Sequence, residues 1–247
     1  AEHDGAGDRV VGMQLPGDPV ESRADSFDLG MALPVVLNGE DPQSHSGPYS
    51  TTARRYGRIG VTMSSLLSAL SGHRPDRLPV WFMRQAGRSL PEYKEARKGT
   101  TILEACLKPD LAAEITLQPV RRHGVDAAIF FSDIMTPLVL AGVDVDIVAG
   151  VGPVIENPVR SAADVDRLVS HEPGDAQAIT DAVKLVVAEL GEETPLIGFA
   201  GAPFTLAAYL VEGRGSRDHL AARSMMHADP ESWRRLLDLC ADFSGRF

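Results

Sequence analysis

Two arginines four residues apart, Arg84 and Arg88, directly follow an apolar run. The residues between them are Gln85, Ala86 and Gly87. Small side chains let the backbone approach a ligand closely, and guanidinium groups bind carboxylates and phosphates in a bidentate manner. This loop is therefore predicted to bind an anionic ligand. The alternative is a surface loop whose arginines form ion pairs.

A second polar pair, Ser132 and Asp133, follows the apolar run 126–131. A carboxylate at the end of a buried strand lies close to a region of low dielectric. There it could accept hydrogen bonds from N–H donors or stabilise a cation that develops during a reaction. The alternative role for Asp133 is to cap the helix that follows.

A third candidate, Tyr209, belongs to a segment of small and apolar residues over 198–213. The small residues favour a close turn from a strand into a helix. Tyr209 would then lie about one and a half turns into that helix, where its hydroxyl could meet a ligand. Packing of Tyr209 in the core is the alternative.

Three apolar runs, 78–83, 126–131 and 195–200, predict strands that are buried on both faces. Apolar residues at helical spacing predict a helix that stops at Gly191, and Asp229 with Pro230 predicts the start of another. Residues 144–155 predict a small hairpin. Strands that alternate with helices indicate a parallel α/β sheet, either open or closed into a barrel.

The first 60 residues differ in composition, with 9 glycines, 5 prolines and no lysine. This composition predicts a disordered extension over residues 1–62, with at most one short strand at Val35, Val36 and Leu37. Residues 63–247 form the predicted globular domain. Because a helical pattern begins just after Met63, we expect the natural protein to start near that residue.

The formal net charge of the 247-residue chain is -10, which disfavours general binding to nucleic acids or anionic membranes. Only two cysteines are present, Cys106 and Cys240, and they are far apart. They predict neither a disulfide framework nor a metal site, and they suit a reducing cytoplasm. No apolar run reaches the ~20 residues of a membrane span.

Two long motifs, PVWFMRQAGRSLPEY and GFAGAPFTLAAYLVEG, resemble the diagnostic segments of the uroporphyrinogen decarboxylase family, and FFSDIMTPLVLAG between them is similar to the same family. The resemblance implies a (β/α)8 TIM barrel, of which residues 63–247 would form an incomplete, N-terminal part. It also implies a cytoplasmic homodimer that uses no metal and no organic cofactor, with no nucleic-acid or membrane partner.

The activity that the resemblance implies is that of a lyase of porphyrin and haem biosynthesis. Uroporphyrinogen III would lose CO2 from its four acetate side chains to give coproporphyrinogen III. Arg84 and Arg88 would bind substrate carboxylates, the backbone of Gln85, Ala86 and Gly87 would line the pocket, and Arg84 is also a candidate proton donor. Asp133 would accept the pyrrole N–H groups and stabilise a cationic intermediate. Tyr209 would contact an acetate or a propionate.

Two alternatives stay open on the sequence. Corrinoid-dependent methyltransferases share this barrel and bind zinc through His and Cys residues placed later in the chain. The other alternative is an inactive or tetrapyrrole-binding barrel fragment.

Overall fold

The structure is a computed structural model that describes residues 64–82, 90–171 and 174–247, together with the strand at residues 32–37. The predicted disorder of residues 1–62 therefore falls outside the described residues, except at that strand. The loop that contains Arg84 and Arg88 also lies outside them.

The described elements follow one another in the order β1 (Ala32–Leu37), α1 (Ser65–Leu70), α2 (Pro91–Ala96), α3 (Ile102–Cys106), α4 (Pro109–His123), β2 (Ala128–Ile129), α5 (Thr136–Leu140), β3 (Val145–Val148), β4 (Gly152–Ile155), α6 (Ala162–Val169), α7 (Gln177–Glu189), β5 (Leu196–Gly201), α8 (Pro203–Glu212), α9 (Leu220–Ala228) and α10 (Pro230–Arg246).

Strands β2 and β5 are parallel neighbours, with Ala128 opposite Leu196 and Ile129 opposite Ile197. This pair confirms the strands predicted over 126–131 and 195–200, although β2 is shorter than its apolar run. Helix α4 lies between α3 and β2, and α5, α6 and α7 lie between β2 and β5. Because β2 and β5 are parallel, their carboxyl ends lie at the same edge of the sheet.

Strand β1 adds to the other side of β5 in an antiparallel ladder that gives the order β1-β5-β2. The Ile197 carbonyl accepts a hydrogen bond from the Phe130 amide, so the backbone groups of Ile197 face β2 and those of Gly198 face β1. Backbone groups alternate along a strand, so those of Phe199, two residues after Ile197, also face β2. Pro34 lies opposite Phe199, and its missing N–H is thus turned away from β5, as proline in an edge strand requires.

The strand predicted over 78–83 is wrong for its described part, because residues 78–82 form no strand. The Asp126 amide donates to the Val80 carbonyl (2.8 Å), but the Val80 amide donates to the Asp126 carboxylate (2.7 Å) rather than to a backbone partner. A side chain thus takes the donor that a ladder would use. Leu78, Val80 and Phe82 are exposed, in contrast to the predicted burial.

The two larger hydrophobic clusters of the described residues are built mainly from helices. One cluster joins α4 and α7 to β2 and β5, and includes Ile115, Phe130 and Val186. The second joins α8, α9 and α10, and includes the fully buried Leu206 and Leu236. The helix predicted to stop at Gly191 is α7, and the predicted hairpin is β3–β4.

The predicted start of α10 is also confirmed, because the Asp229 carboxylate accepts the Ser232 amide (3.1 Å) and Pro230 is the first helical residue.

Candidate functional site

Two of the predicted site residues lie in the segments that follow β2 and β5. Asp133 lies in the turn that follows β2, and Tyr209 lies in α8, which follows β5. A β-carbon built on Gly201, the last residue of β5, would lie 3.1 Å from the Ile134 carbonyl oxygen. The Asp133 turn and the β5–α8 junction are therefore in contact, while the Arg84–Arg88 loop is outside the described residues.

The Asp133 turn is closed by its own hydrogen bonds. The Asp133 carboxylate accepts the Met135 amide (2.8 Å), and the Asp133 carbonyl accepts the Thr136 amide (3.0 Å). Met135 and Thr136 are fully buried, whereas Asp133 is half-buried. The capping alternative is wrong for Asp133, because α5 begins after Met135 as its N-cap and has no side-chain cap hydrogen bond. The Asp133 carboxylate closes the turn before the helix and stands at the end of the strand pair.

Helix α4 holds the strand end that leads into this turn. The Thr116 hydroxyl donates to the Ala112 carbonyl (2.7 Å) and accepts the Phe131 amide (2.9 Å), and the Thr116 side chain is fully buried. The preceding amide, that of Phe130, donates to β5. Because neighbouring amides of an extended chain point to opposite sides, the Phe131 amide faces away from β5, and α4 supplies its acceptor there.

Cys106 lies beside the Asp133 turn, and the pKa of its thiol depends on the charged side chains there. Burial and, to a smaller extent, the negative charge of Asp133 raise the pKa of the Cys106 thiol to about 12. A hydrogen bond with Thr136 and the positive charge of Arg97 act in the opposite direction. A cation and an anion, Arg97 and Asp133, thus flank the same buried thiol.

Arg97 is a candidate site residue that the sequence analysis missed. Its guanidinium lies over the Tyr93 ring, 5.3 Å from the centroid, and the Tyr93 ring meets the Phe131 ring edge to face at 6.1 Å. Its Nη1 atom is buried and has no hydrogen-bond partner in the part of the chain that the structure describes. The four-residue spacing of Tyr93 and Arg97, which places both on one helix face, was the available signal.

Asp126 anchors the segment that runs into the arginine loop. Its buried carboxylate accepts Arg77 Nη1 (2.8 Å) and the Val80 amide (2.7 Å), and Arg77 Nη2 contacts its other oxygen. Trp81 packs against the cluster that includes Ile129. On the far side of the loop Leu90 is buried, so the described chain is held on both sides of residues 83–89.

Tyr209 is half-buried and packs against the α8–α10 cluster, which agrees with the alternative of core packing for its ring. Its hydroxyl oxygen lies 3.8 Å from the position that a β-carbon on Gly215 would take. The phenol therefore reaches the loop after α8, which begins at Gly213 with a left-handed conformation (φ 81°).

This arrangement suits recognition of a ligand that carries both anionic and N–H donor groups. Asp133 offers a carboxylate acceptor, and Arg97 offers a guanidinium donor that the described residues leave unsatisfied. Within the described residues, no group of three or more His, Cys, Asp or Glu side chains is placed to hold a metal ion. No helix described in the structure has the length and apolar character that crossing a membrane requires.

The chain is similar to known proteins over most of its length. The family model for uroporphyrinogen decarboxylase (URO-D) matches residues 62–247. The uroporphyrinogen decarboxylase of Arthrobacter sp. (strain FB24) is 64% identical over 184 residues, which cover 74% of this chain and 53% of that protein. The one of Leifsonia xyli subsp. xyli (strain CTCB07) is 61% identical over 194 residues, covering 76% and 51%. The chain thus spans about half the length of these relatives.

A solved structure, a methyltransferase from Methanosarcina mazei, matches with a TM-score of 0.54 at 20% identity, over 72% of this chain and 51% of that one. At this identity the likeness concerns the fold alone, and with the family match it gives a TIM-barrel-like α/β fold. From its motifs, its fold and its relatives, the chain belongs to the uroporphyrinogen decarboxylase family.

Proposed function

We propose that this protein catalyses the decarboxylation of uroporphyrinogen III to coproporphyrinogen III, as a carboxy-lyase of porphyrin and haem biosynthesis. One observation carries the proposal: relatives that are 61–64% identical over about three quarters of the chain bear the name uroporphyrinogen decarboxylase. The charge pattern around Asp133 supports it, because the substrate combines pyrrole N–H donors with eight carboxylates.

The chemistry explains why a carboxylate and guanidinium groups are needed together. Each acetate side chain must exchange its carboxylate for a proton, so that one proton is consumed and one CO2 leaves per step. Protonation of the pyrrole ring creates an electron sink, and the electrons of the breaking carbon–carbon bond flow into the ring. A proton then adds to the former acetate carbon to give the methyl group, and the ring loses the proton that it had gained, so that the pyrrole is restored and the net consumption is one proton.

In this scheme Asp133 accepts the pyrrole N–H groups and stabilises the protonated ring. The Met135 amide orients the carboxylate before the substrate binds. Arg84 binds a substrate carboxylate and donates the proton, and Arg88 binds a second carboxylate beside the backbone of Gln85, Ala86 and Gly87.

Two described residues extend this proposed site. Tyr209 contacts an acetate or propionate through its hydroxyl. Arg97 adds a third guanidinium to the same edge, and its buried Nη1 provides a donor for a further carboxylate.

The proposal extends to the setting of the enzyme. The family resemblance and the reduced cysteines favour a cytoplasmic homodimer, and the net charge of -10 disfavours nucleic acid as a partner. No metal or organic cofactor enters the scheme, because the protonated pyrrole itself accepts the electrons. The methyltransferase alternative is not favoured, because that likeness is one of fold.

A direct assay tests the function. The protein is incubated with uroporphyrinogen III without oxygen, the products are oxidised, and the porphyrins are separated by their number of carboxylates. Because the chain spans about half of its relatives, a chimera that continues it with the C-terminal half of the Arthrobacter relative is assayed in parallel. We expect porphyrins with seven to four carboxylates from the chimera. Recovery of the eight-carboxylate porphyrin alone from both proteins would refute the proposal.

Replacement of Asp133 tests the role of the carboxylate in that chimera. We expect Asp133→Ala to lower kcat by at least about 100-fold, which corresponds to roughly 3 kcal/mol of lost electrostatic stabilisation. Asp181→Ala, which removes an exposed carboxylate on α7, is the matched control and should leave kcat unchanged. Near-normal turnover by Asp133→Ala would exclude this role.

A further inference from the structure

We propose that Thr116 is a positioning residue for Asp133, so that a hydroxyl in α4 sets where the carboxylate stands at the sheet edge. The inference rests on the proposed function of Asp133 and adds a residue to it. Thr116 lies in the middle of α4, seventeen positions before Asp133 in the sequence.

The hydroxyl of Thr116 has both of its hydrogen-bonding directions defined. Its proton goes to the Ala112 carbonyl one turn earlier in α4 (2.7 Å), which leaves a lone pair to accept the Phe131 amide (2.9 Å). A threonine hydroxyl that bonds back to its own helix is held in one rotamer. The acceptor is therefore presented to Phe131 in a fixed direction.

The Phe131 amide ties the end of this strand to α4 on the side away from β5. Ala128 and Phe130 donate to the Pro195 and Ile197 carbonyls of β5, both at 2.9 Å. The Phe131 amide points to the opposite side and donates to Thr116, and the Asp133 turn begins two residues later. Because Phe131 is buried, its amide has no access to bulk water, so the Thr116 hydroxyl determines its direction.

The pairing also explains why a polar residue occupies this place. Thr116 is fully buried next to the apolar cluster between α4 and the sheet, where a hydroxyl is tolerated only when it is hydrogen-bonded. Valine has nearly the shape of threonine without the hydroxyl, and serine keeps the hydroxyl without the methyl group. These two replacements separate the hydrogen bond from the packing.

Amide hydrogen exchange tests the contact itself. In Thr116→Val we expect the Phe131 amide to exchange at least about tenfold faster than in the parent chain, and in Thr116→Ser we expect protection to return. The Ala182 amide, in the buried face of α7, serves as the internal reference. Unchanged protection of Phe131 in Thr116→Val would overturn the proposal at this first step.

A double-mutant cycle then separates positioning from a purely structural role. The probe is uroporphyrinogen III, and its Kd is measured without oxygen by quenching of tryptophan fluorescence in the parent chain, Thr116→Val, Asp133→Asn and the double variant. If Thr116 acts through Asp133, Thr116→Val raises Kd by about tenfold in the parent background and by less than about twofold beside Asp133→Asn. Thr116→Ser restores the parent Kd.

The outcomes of the cycle distinguish an error in the positioning role of Thr116 from an error in the proposed function of Asp133. Equal effects of Thr116→Val in both backgrounds would show that the hydroxyl acts on the fold and not on Asp133, which would overturn the positioning role alone. A Kd that Asp133→Asn does not change, or no binding by the parent chain, would instead overturn the proposed function of Asp133 and this inference with it.

Discussion

At the scale of single residues, the orientation of Asp133 is built into the backbone around it. Its carboxylate accepts the Met135 amide, and α5 starts directly after that turn. Asp133 closes the turn before α5 instead of capping the helix, and this contact is compatible with ligand binding by the same carboxylate. A carboxylate that is already oriented loses less freedom when a cationic ring forms beside it.

The sequence predicted the place of Asp133 but not its surroundings. An apolar run that ends in Ser-Asp is a local pattern, so one stretch of sequence suffices to predict a carboxylate at a strand end. Arg97 and Thr116 were missed, because each matters through a contact with a distant segment. The contact between Thr116 and Phe131 depends on how α4 packs on β2, which helix periodicity does not specify.

The buried thiol of Cys106 predicts a loss of stability at high pH. Burial raises its pKa from about 9 in the unfolded chain to about 12 in the folded one. Between these values the unfolded chain releases the proton and the folded one keeps it, so the free energy of unfolding falls as pH rises through 9. We expect Cys106 to account for about 1 kcal/mol of this decrease in the free energy of unfolding at pH 10. Urea unfolding at several pH values measures it.

The matched variant for this prediction is Cys106→Ser, which keeps the size of the side chain and does not titrate in this range. Its free energy of unfolding should decline less steeply between pH 9 and 11 than that of the parent chain. Parallel curves for the two proteins would show that the thiol does not contribute.

At the scale of elements, the segment before the arginine loop is held by one carboxylate and one indole. The Asp126 carboxylate binds the Arg77 guanidinium and the Val80 amide, and Trp81 packs against the cluster that includes Ile129. The apolar composition of residues 78–83 predicted a strand, but composition does not show that an aspartate would compete for the Val80 amide. The runs over 126–131 and 195–200 were predicted correctly because they pair with each other by backbone groups alone.

Replacement of Asp126 is expected to loosen this segment. Asp126→Ala removes the buried carboxylate that accepts the Val80 amide and should lower the free energy of unfolding by about 2 to 3 kcal/mol, as expected for a hydrogen bond to a charged group. Arg77→Ala is the comparison, because its side chain is 65% exposed and its ion pair should contribute no more than about 1 kcal/mol. Urea unfolding followed by tryptophan fluorescence measures both. Equal losses in the two variants would contradict the anchoring role of the Val80 contact.

At the scale of the whole molecule, β1 lies far from its neighbours in sequence and closes one edge of the sheet. The sequence predicted at most a short strand at Val35, Val36 and Leu37 and no partner for it. The ladder instead spans Ala32–Leu37 and pairs with β5. Pairing between segments so far apart leaves no local pattern in the sequence, so only the fold reveals it.

Because alternate residues of β1 direct their backbone groups toward β5 and away from it, proline substitutions at two neighbouring positions should have different effects. Val35 lies opposite Gly198, whose backbone groups face β1. The backbone N–H and C=O of Val36, like those of Pro34, face away from β5. Val35→Pro should remove a ladder donor and speed exchange of the Gly198 amide by at least about tenfold. Val36→Pro should leave that amide protected. The same rate in both variants, measured by amide hydrogen exchange, would show that the register is wrong.

The β1–β5 ladder also sets an order of events during synthesis. Its partners are about 160 residues apart, so at ribosomal rates of about 5 to 20 residues per second β1 emerges many seconds before β5 exists. Helices α1 to α7 and strand β2 leave the ribosome in that interval. Strand β1 is thus the first of the described strands to be synthesised but must wait for β5 before it can pair, and a nascent polypeptide stalled before Leu196 would carry β1 with no edge to join.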